Sequence, residues 1–263
     1  MENDYLIQKK PAAALLLFSL PMILGNLFQQ LYTMADSAIV GRYVGEQALA
    51  AVGASYALTN IFICVAIGGG IGASVIVSRY FGAREYARMK LALYTACLAF
   101  LGISILLGGA GLAFSQGIMR LLKTPADVLD MAVEYLNIYF LGLPFLFLYN
   151  VLSSMFNALG KSRIPLYFLI FSSVFNVVLD VLMVTKFHMG VAGVAWATLI
   201  AQGISAVLSF VVLLRELRQF PCEKSGVFSC PELLRMTRIA LPSILQQSTV
   251  SIGILHFHWL AAG

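Results

Sequence analysis

The chain has 263 residues, 60% of them hydrophobic and 11% charged, with a mean hydropathy of +0.89. A soluble domain carries about 25% charged residues and needs polar side chains to cover its surface, so this composition excludes a soluble globular protein. It also excludes a disordered chain and a disulfide-stapled scaffold, and the net charge of +5 falls in short clusters between apolar runs, as loop charges do in membrane proteins, rather than in a nucleic-acid-binding patch.

A spanning helix needs about 20 mostly apolar residues. In chain order the predicted spans are 11–40, 49–78, 91–116, 131–159, 164–187 and 191–214, and a seventh begins near Ile239. The first run is too long for a cleavable signal peptide and lacks a small-residue cleavage site, so none is expected. Nothing alternates with period two over strand-length segments, which argues against a transmembrane barrel. The expected fold is an all-α polytopic membrane protein: a six-transmembrane-helix bundle over 1–214, a linker over 215–238, and the start of a second unit over 239–263.

Loop charge orients this bundle. Lys9 and Lys10, then Arg79, Arg84, Arg88 and Lys90, then Lys161 and Arg163 lie on one set of loops. The linker adds Arg215, Arg218, Lys224, Arg235 and Arg238 to the same side, and only Arg42, Arg120, Lys123 and Lys186 lie opposite. The positive-inside rule then places the N-terminus and the linker in the cytoplasm. The linker separates two related helix openings, Ser19-Leu20-Pro21-Met22-Ile23-Leu24 and Ala240-Leu241-Pro242-Ser243-Ile244-Leu245. A parallel six-plus-six repeat is a known architecture of secondary transporters, and this sequence reads as its first half. The likeness fades quickly, because the counterpart of Asp36 is Phe257.

The residues most able to carry chemistry are the acidic ones inside the spans, Asp36 and Asp180. A carboxylate at membrane depth costs about 2.5–3.5 kcal/mol on insertion scales and usually marks an ion or proton path. At about 1.5 Å per residue, Asp180 lies about 26 Å from the start of its helix at Arg163. Asp36 lies about 39 Å from Lys10, along a helix that Pro21 is expected to bend. Both fall in the outer half. Asn176 shares a helix face with Asp180, and Thr198 and Tyr139 reach comparable depth from the outer end. No Lys or Arg lies within the spans at that depth, so an aspartate there is suited to binding a proton or a small cation reversibly. The alternative for each of these polar residues, the aspartates included, is local hydrogen bonding between helices, and it has most weight for Tyr139 and Thr198.

Other motifs read as structural. Gly68-Gly69-Gly70-Ile71-Gly72-Ala73 follows no strand and lacks the Lys-Ser/Thr of a phosphate loop, so close helix packing is expected. Pro144 is expected to kink the fourth span. Cys64 and Cys97 sit in apolar runs, and Cys222 and Cys230 in the linker read as reduced thiols, not half of a metal site. His256 and His258 mimic a metal pair with too few ligands. No metal or tightly bound cofactor is expected, and no nucleophile–base pair at compatible depth suggests an enzyme.

Several of these stretches carry a family resemblance. They are Leu20-Pro21-Met22-Ile23 with Asp36, Ser78-Arg79-Tyr80-Phe81-Gly82-Ala83, Ala158-Leu159-Gly160-Lys161-Ser162-Arg163-Ile164-Pro165 and Asn176-Val177-Val178-Leu179-Asp180. Over roughly 14–250 the chain resembles the N-terminal lobe of a bacterial multidrug and toxic compound extrusion (MATE) transporter. The resemblance implies a plasma-membrane, multi-pass antiporter of two six-helix lobes. Such a protein exports cationic small molecules by alternating access in exchange for H+ or Na+. It implies a cation site of Asp36, Asp180, Asn176 and Thr198 with Tyr139 nearby, and as partners the bilayer and a second lobe or another copy of the chain. A rival within the superfamily is a lipid-linked-oligosaccharide flippase, which would show basic rather than acidic residues in its cavity. A rival of another class is a half-lobe that does not transport.

Overall fold

A computed structural model describes residues 11–220 and 226–262, with side chains between 15 and 249 except at 17 and 57. The described residues form seven long helices, which we number α1 (Pro11–Ile39), α2 (Glu46–Gly82), α3 (Tyr86–Leu121), α4 (Leu129–Ala158), α5 (Arg163–Thr185), α6 (Gly190–Leu217) and α7 (Cys230–Ala262). A π-helical turn, Val40–Val44, extends α1 and closes with the Gly45 amide donating to the Val40 carbonyl at 3.1 Å.

Five helical segments among the described residues are long and apolar enough to cross a membrane, namely Leu58–Gly82, α3, α4, α5 and α6. The predicted first span is helical as α1, but its first residues' side chains lie outside the described ones, so that count does not bear on it. Helix α5 ends at Thr185, within its predicted apolar window. Helices α2, α3 and α6 extend beyond theirs at both ends, because backbone hydrogen bonding continues where the side chains turn polar. The N-terminal extension of α7 shows this. Glu232, Met236 and Ala240 are buried one turn apart, with Arg235 and Arg238 outside the stripe, so an amphipathic helix begins at Cys230, well before Ile239.

Chain direction reverses where the backbone permits it. Gly160 adopts φ +75° after α4, where Lys161 N–H reaches the Phe156 carbonyl at 2.8 Å, a left-handed cap that a glycine takes without Cβ strain. Pro21, Pro144 and Pro242 all lie inside helices.

The glycine run of α2 packs as the sequence suggests. A Cβ on Gly69 would come within 2.6 Å of the Phe100 ring on α3, and one on Gly70 within 2.5 Å of Ser154 Oγ on α4. On Gly68 and Gly72 it would strike the backbone of α7 at Ile244 and Ala240. Helix α2 can therefore touch three helices closely only because these positions lack side chains. On the other flank α1 packs on α5, α5 on α6 and α6 on α4.

Two apolar clusters fill the bundle. Met89, Leu93, Leu152, Met155, Phe156 and Leu213 are buried at the end carrying the basic loops, and Leu136, Phe140, Leu143 and Phe147 toward the other. A third, smaller cluster of Val40, Val184, Val191 and Val194 seals the end beyond Asp36 and Asp180.

Candidate cation site

Helices α1, α4, α5 and α6 each send a polar side chain to one place, near the C-terminal ends of α1 and α5. Asp180 is fully buried and Asn176, one turn earlier on α5, is 2% exposed. With the Asn176 amide oriented so that donors meet acceptors, its Nδ2 donates to Asp180 Oδ2 at 2.9 Å. Its Oδ1 then accepts from Thr198 Oγ1 at 3.2 Å and from the Thr198 amide at 3.1 Å. Asp36 is half-buried, and its carboxyl group lies within hydrogen-bonding reach of that of Asp180. The two aspartates therefore meet, as their depth along the helices allows.

One oxygen on each aspartate, Oδ1 in both, is buried with no hydrogen-bond partner. Leaving a buried acceptor unsatisfied costs about 1–3 kcal/mol, more for a charged group. None of the ion pairs among the described residues involves either aspartate; the three join Arg88 to Glu85, Lys161 to Glu216 and Arg235 to Glu232. Two acceptor-only groups are thus held against each other without a protein cation. No group of three or more His, Cys, Asp or Glu able to hold a metal ion occurs among the described residues. The chemistry of the pair suits a single small monovalent cation or a proton.

Two tyrosines complete the surroundings, and both escape the sequence reading. Tyr32, one turn before Asp36 on α1, lies near Thr198 and both carboxylates. Tyr135, one turn before Tyr139 on α4, also faces both carboxylates. Tyr139 lies further along α4, and its hydroxyl donates to the Thr59 carbonyl of α2 at 3.2 Å. The structure therefore brings Asp36, Asp180, Asn176 and Thr198 together and sets Tyr139 beside them, against Tyr32 and Tyr135. The signal for the missed tyrosines was available: each sits four residues from a residue already singled out and hence on the same helix face. Pro21 lies on α1 about four turns from Asp36, where Ser162 Oγ donates to the neighbouring Phe18 carbonyl at 3.2 Å and fastens α1 to the start of α5.

The side chains of His256 and His258 and the whole of Cys222 lie outside the described residues. Cys230 is an exposed free thiol, and Cys64 and Cys97 are buried.

Membrane-length helices gathered around a buried carboxylate pair have the build of a polytopic membrane transporter. The comparisons make the class specific. The family model described as MatE matches residues 21–182, and the chain belongs to that family. It is 33% identical over 242 residues to the probable multidrug resistance protein YpnP of Bacillus subtilis, covering 92% of this chain and 54% of that protein. It is 33% identical over 207 residues to the probable multidrug resistance protein YoeA of the same organism, covering 77% and 44%. A solved multidrug resistance MATE family transporter of the MOP superfamily, in an outward-facing conformation, superposes with a TM-score of 0.85 at 25% identity. That superposition covers 97% of this chain and 57% of the other. The chain thus spans about half the length of the relatives it matches.

Proposed function

We propose that this bundle is the cation-binding lobe of an antiporter that exports cationic organic compounds in exchange for H+ or Na+. The observation that carries the reading is the Asp36–Asp180 pair, with a buried, unpartnered oxygen on each and no basic residue paired to it among the described residues. Two like charges in a low-dielectric site repel strongly, and one monovalent cation between them relieves that repulsion. Asn176 and Thr198 fix the geometry of Asp180, and Tyr32 and Tyr135 lie beside the pair. Binding and release of the cation would change how α1 sits against α5, with Pro21 as the point at which α1 bends. The names of the Bacillus relatives support drug export as the activity.

Alternating access needs two bundles around a site at their interface. The proposed transport unit is therefore this lobe with a second lobe, or with a second copy of the chain, in the bacterial plasma membrane. The N-terminus and the 215–238 linker face the cytoplasm in this reading, on the strength of the basic loops. The acidic character of the site favours a cationic cargo over the anionic headgroup of a flippase substrate.

The test is ethidium efflux from pump-deficient bacteria expressing the lobe joined to a second lobe, driven by an imposed proton or sodium gradient. Asp36→Asn and Asp180→Asn should each abolish gradient-driven efflux at unchanged expression, while Glu46→Gln at the start of α2 leaves it intact. Normal pumping by both aspartate variants would make the carboxylates structural and overturn the coupling mechanism.

A further inference from the structure

The contact between α2 and α7 has a register that runs turn by turn from mid-bundle to the basic end. Gly68 lies against Ile244 and Gly72 against Ala240, where an added Cβ would come within 2.6 Å and 2.7 Å of α7 atoms. One turn further, the same antiparallel register sets Ile76 opposite Met236, both buried in the cluster at this end. The next turn sets Tyr80 opposite Glu232, and their side chains join: the Tyr80 hydroxyl donates to Glu232 Oε1 at 2.8 Å. Arg235, one turn along α7, donates to the same Oε1 at 3.0 Å and to the Tyr80 hydroxyl at 3.2 Å. Small residues thus close the deep half of the seam and a polar triad closes its mouth.

Glu232 is an odd residue for a passive surface pair. It is 8% exposed, and its second oxygen, Oε2, is buried without a partner. Closing the seam strips this carboxylate of water and repays only one of its oxygens, so the closed arrangement is held by the triad yet left with a reason to open. The approaches to the seam are fastened to α3, through Lys90 and Thr95, and to α2, through Phe81. Lys90 Nζ donates to the Phe220 carbonyl at 2.9 Å, the Ser229 amide donates to Thr95 Oγ1 at 3.0 Å, and the Phe220 ring packs edge-on against Phe81.

We propose that Tyr80, Glu232 and Arg235 form a releasable clasp that locks α7 to α2 and shuts the basic end of the bundle, opposite the carboxylate site. The proposal rests on the transporter reading above for its purpose, since α7 opens the second repeat and must move for that end to open. It rests on the seam geometry alone for its existence. Glu232 acts by holding Tyr80 and Arg235 in place, not by touching cargo.

The experiment places a single cysteine at Met236, on the inner face of α7, in an otherwise cysteine-free chain, and follows its reaction with N-ethylmaleimide in native membranes. The parent should react slowly. Glu232→Ala should speed labelling about tenfold, as expected when a buried hydrogen bond to a charged group is lost. Tyr80→Phe should give a smaller increase. Glu232→Gln, which can still accept from the Tyr80 hydroxyl, should stay near the parent. A second reporter, Leu136→Cys, buried in the other cluster, should remain protected throughout, which separates opening of the seam from general unfolding. Equal labelling of Met236→Cys in the parent and Glu232→Ala chains would overturn the clasp, as would equal acceleration at Leu136→Cys. Either failure leaves cation binding at Asp36 and Asp180 untouched. Loss of that binding beside an intact clasp speaks only against transport.

Discussion

Asn176 shows how much one side chain can decide in a site of this kind. It is the donor to Asp180 Oδ2 and the acceptor for Thr198, so it converts three separate polar groups into one arrangement. Asn176→Leu keeps the volume but leaves Asp180 without that donor, and should cost about 1–3 kcal/mol of stability, read as a lower unfolding midpoint in detergent. Tyr139→Phe loses only a bond to the Thr59 carbonyl and should lower the midpoint less. A larger loss for Tyr139→Phe would mean that the load on this site is carried by α4. The aspartates were legible from sequence because a charge within an apolar run has few explanations, and Asn176 and Thr198 followed from depth and helix face. Tyr32 and Tyr135 were not, because a tyrosine in a membrane helix is common and only the packing of α1 and α4 against α5 tells which ones face the carboxylates. The unpartnered oxygens and the fully buried state of Asp180 are likewise matters of lateral packing, which depth arithmetic does not contain.

At the scale of helices, the glycines of α2 set how closely the bundle can close. Gly72→Val would drive its side chain into α7, and overpacking of this kind typically costs about 1–3 kcal/mol. Gly53→Ala on the same helix meets nothing within 4 Å and should leave stability nearly unchanged. The comparison of the two unfolding midpoints checks the seam directly, and equal midpoints would contradict it. The glycine cluster was legible as a packing motif, yet its partners were not: three different helices use Gly68, Gly69, Gly70 and Gly72, and no periodicity in the sequence says so. The early start of α7 was hidden for a related reason. Glu232, Arg235 and Arg238 lower its hydropathy, while the buried stripe of Glu232, Met236 and Ala240 includes a charged residue that a window average counts as loop. The π-helical turn after α1 leaves no compositional trace either, although it lies within two turns of Asp36, in the position where such turns often accompany functional sites.

At the scale of the whole molecule, the bundle is organised as two ends with different chemistry. One end holds a carboxylate pair with no basic side chain paired to it among the described residues, with Tyr32 and Tyr135 near it and Val40, Val184, Val191 and Val194 beyond it. The other holds the basic loops, the Lys161–Glu216 ion pair and the seam between α2 and α7. The central claim is that the first end exchanges a small cation for an organic one, and it can be tested without a second lobe or a complete transport cycle. The direct measurement is proton release from the purified, detergent-solubilised protein in weakly buffered solution when tetraphenylphosphonium is added, with and without sodium. The account predicts release, or displacement of bound sodium, from the unmodified chain and from Glu46→Gln, and none from the Asp36→Asn/Asp180→Asn double variant. Equal release from the double variant would contradict it, because the exchanged ion would then reside elsewhere in the bundle.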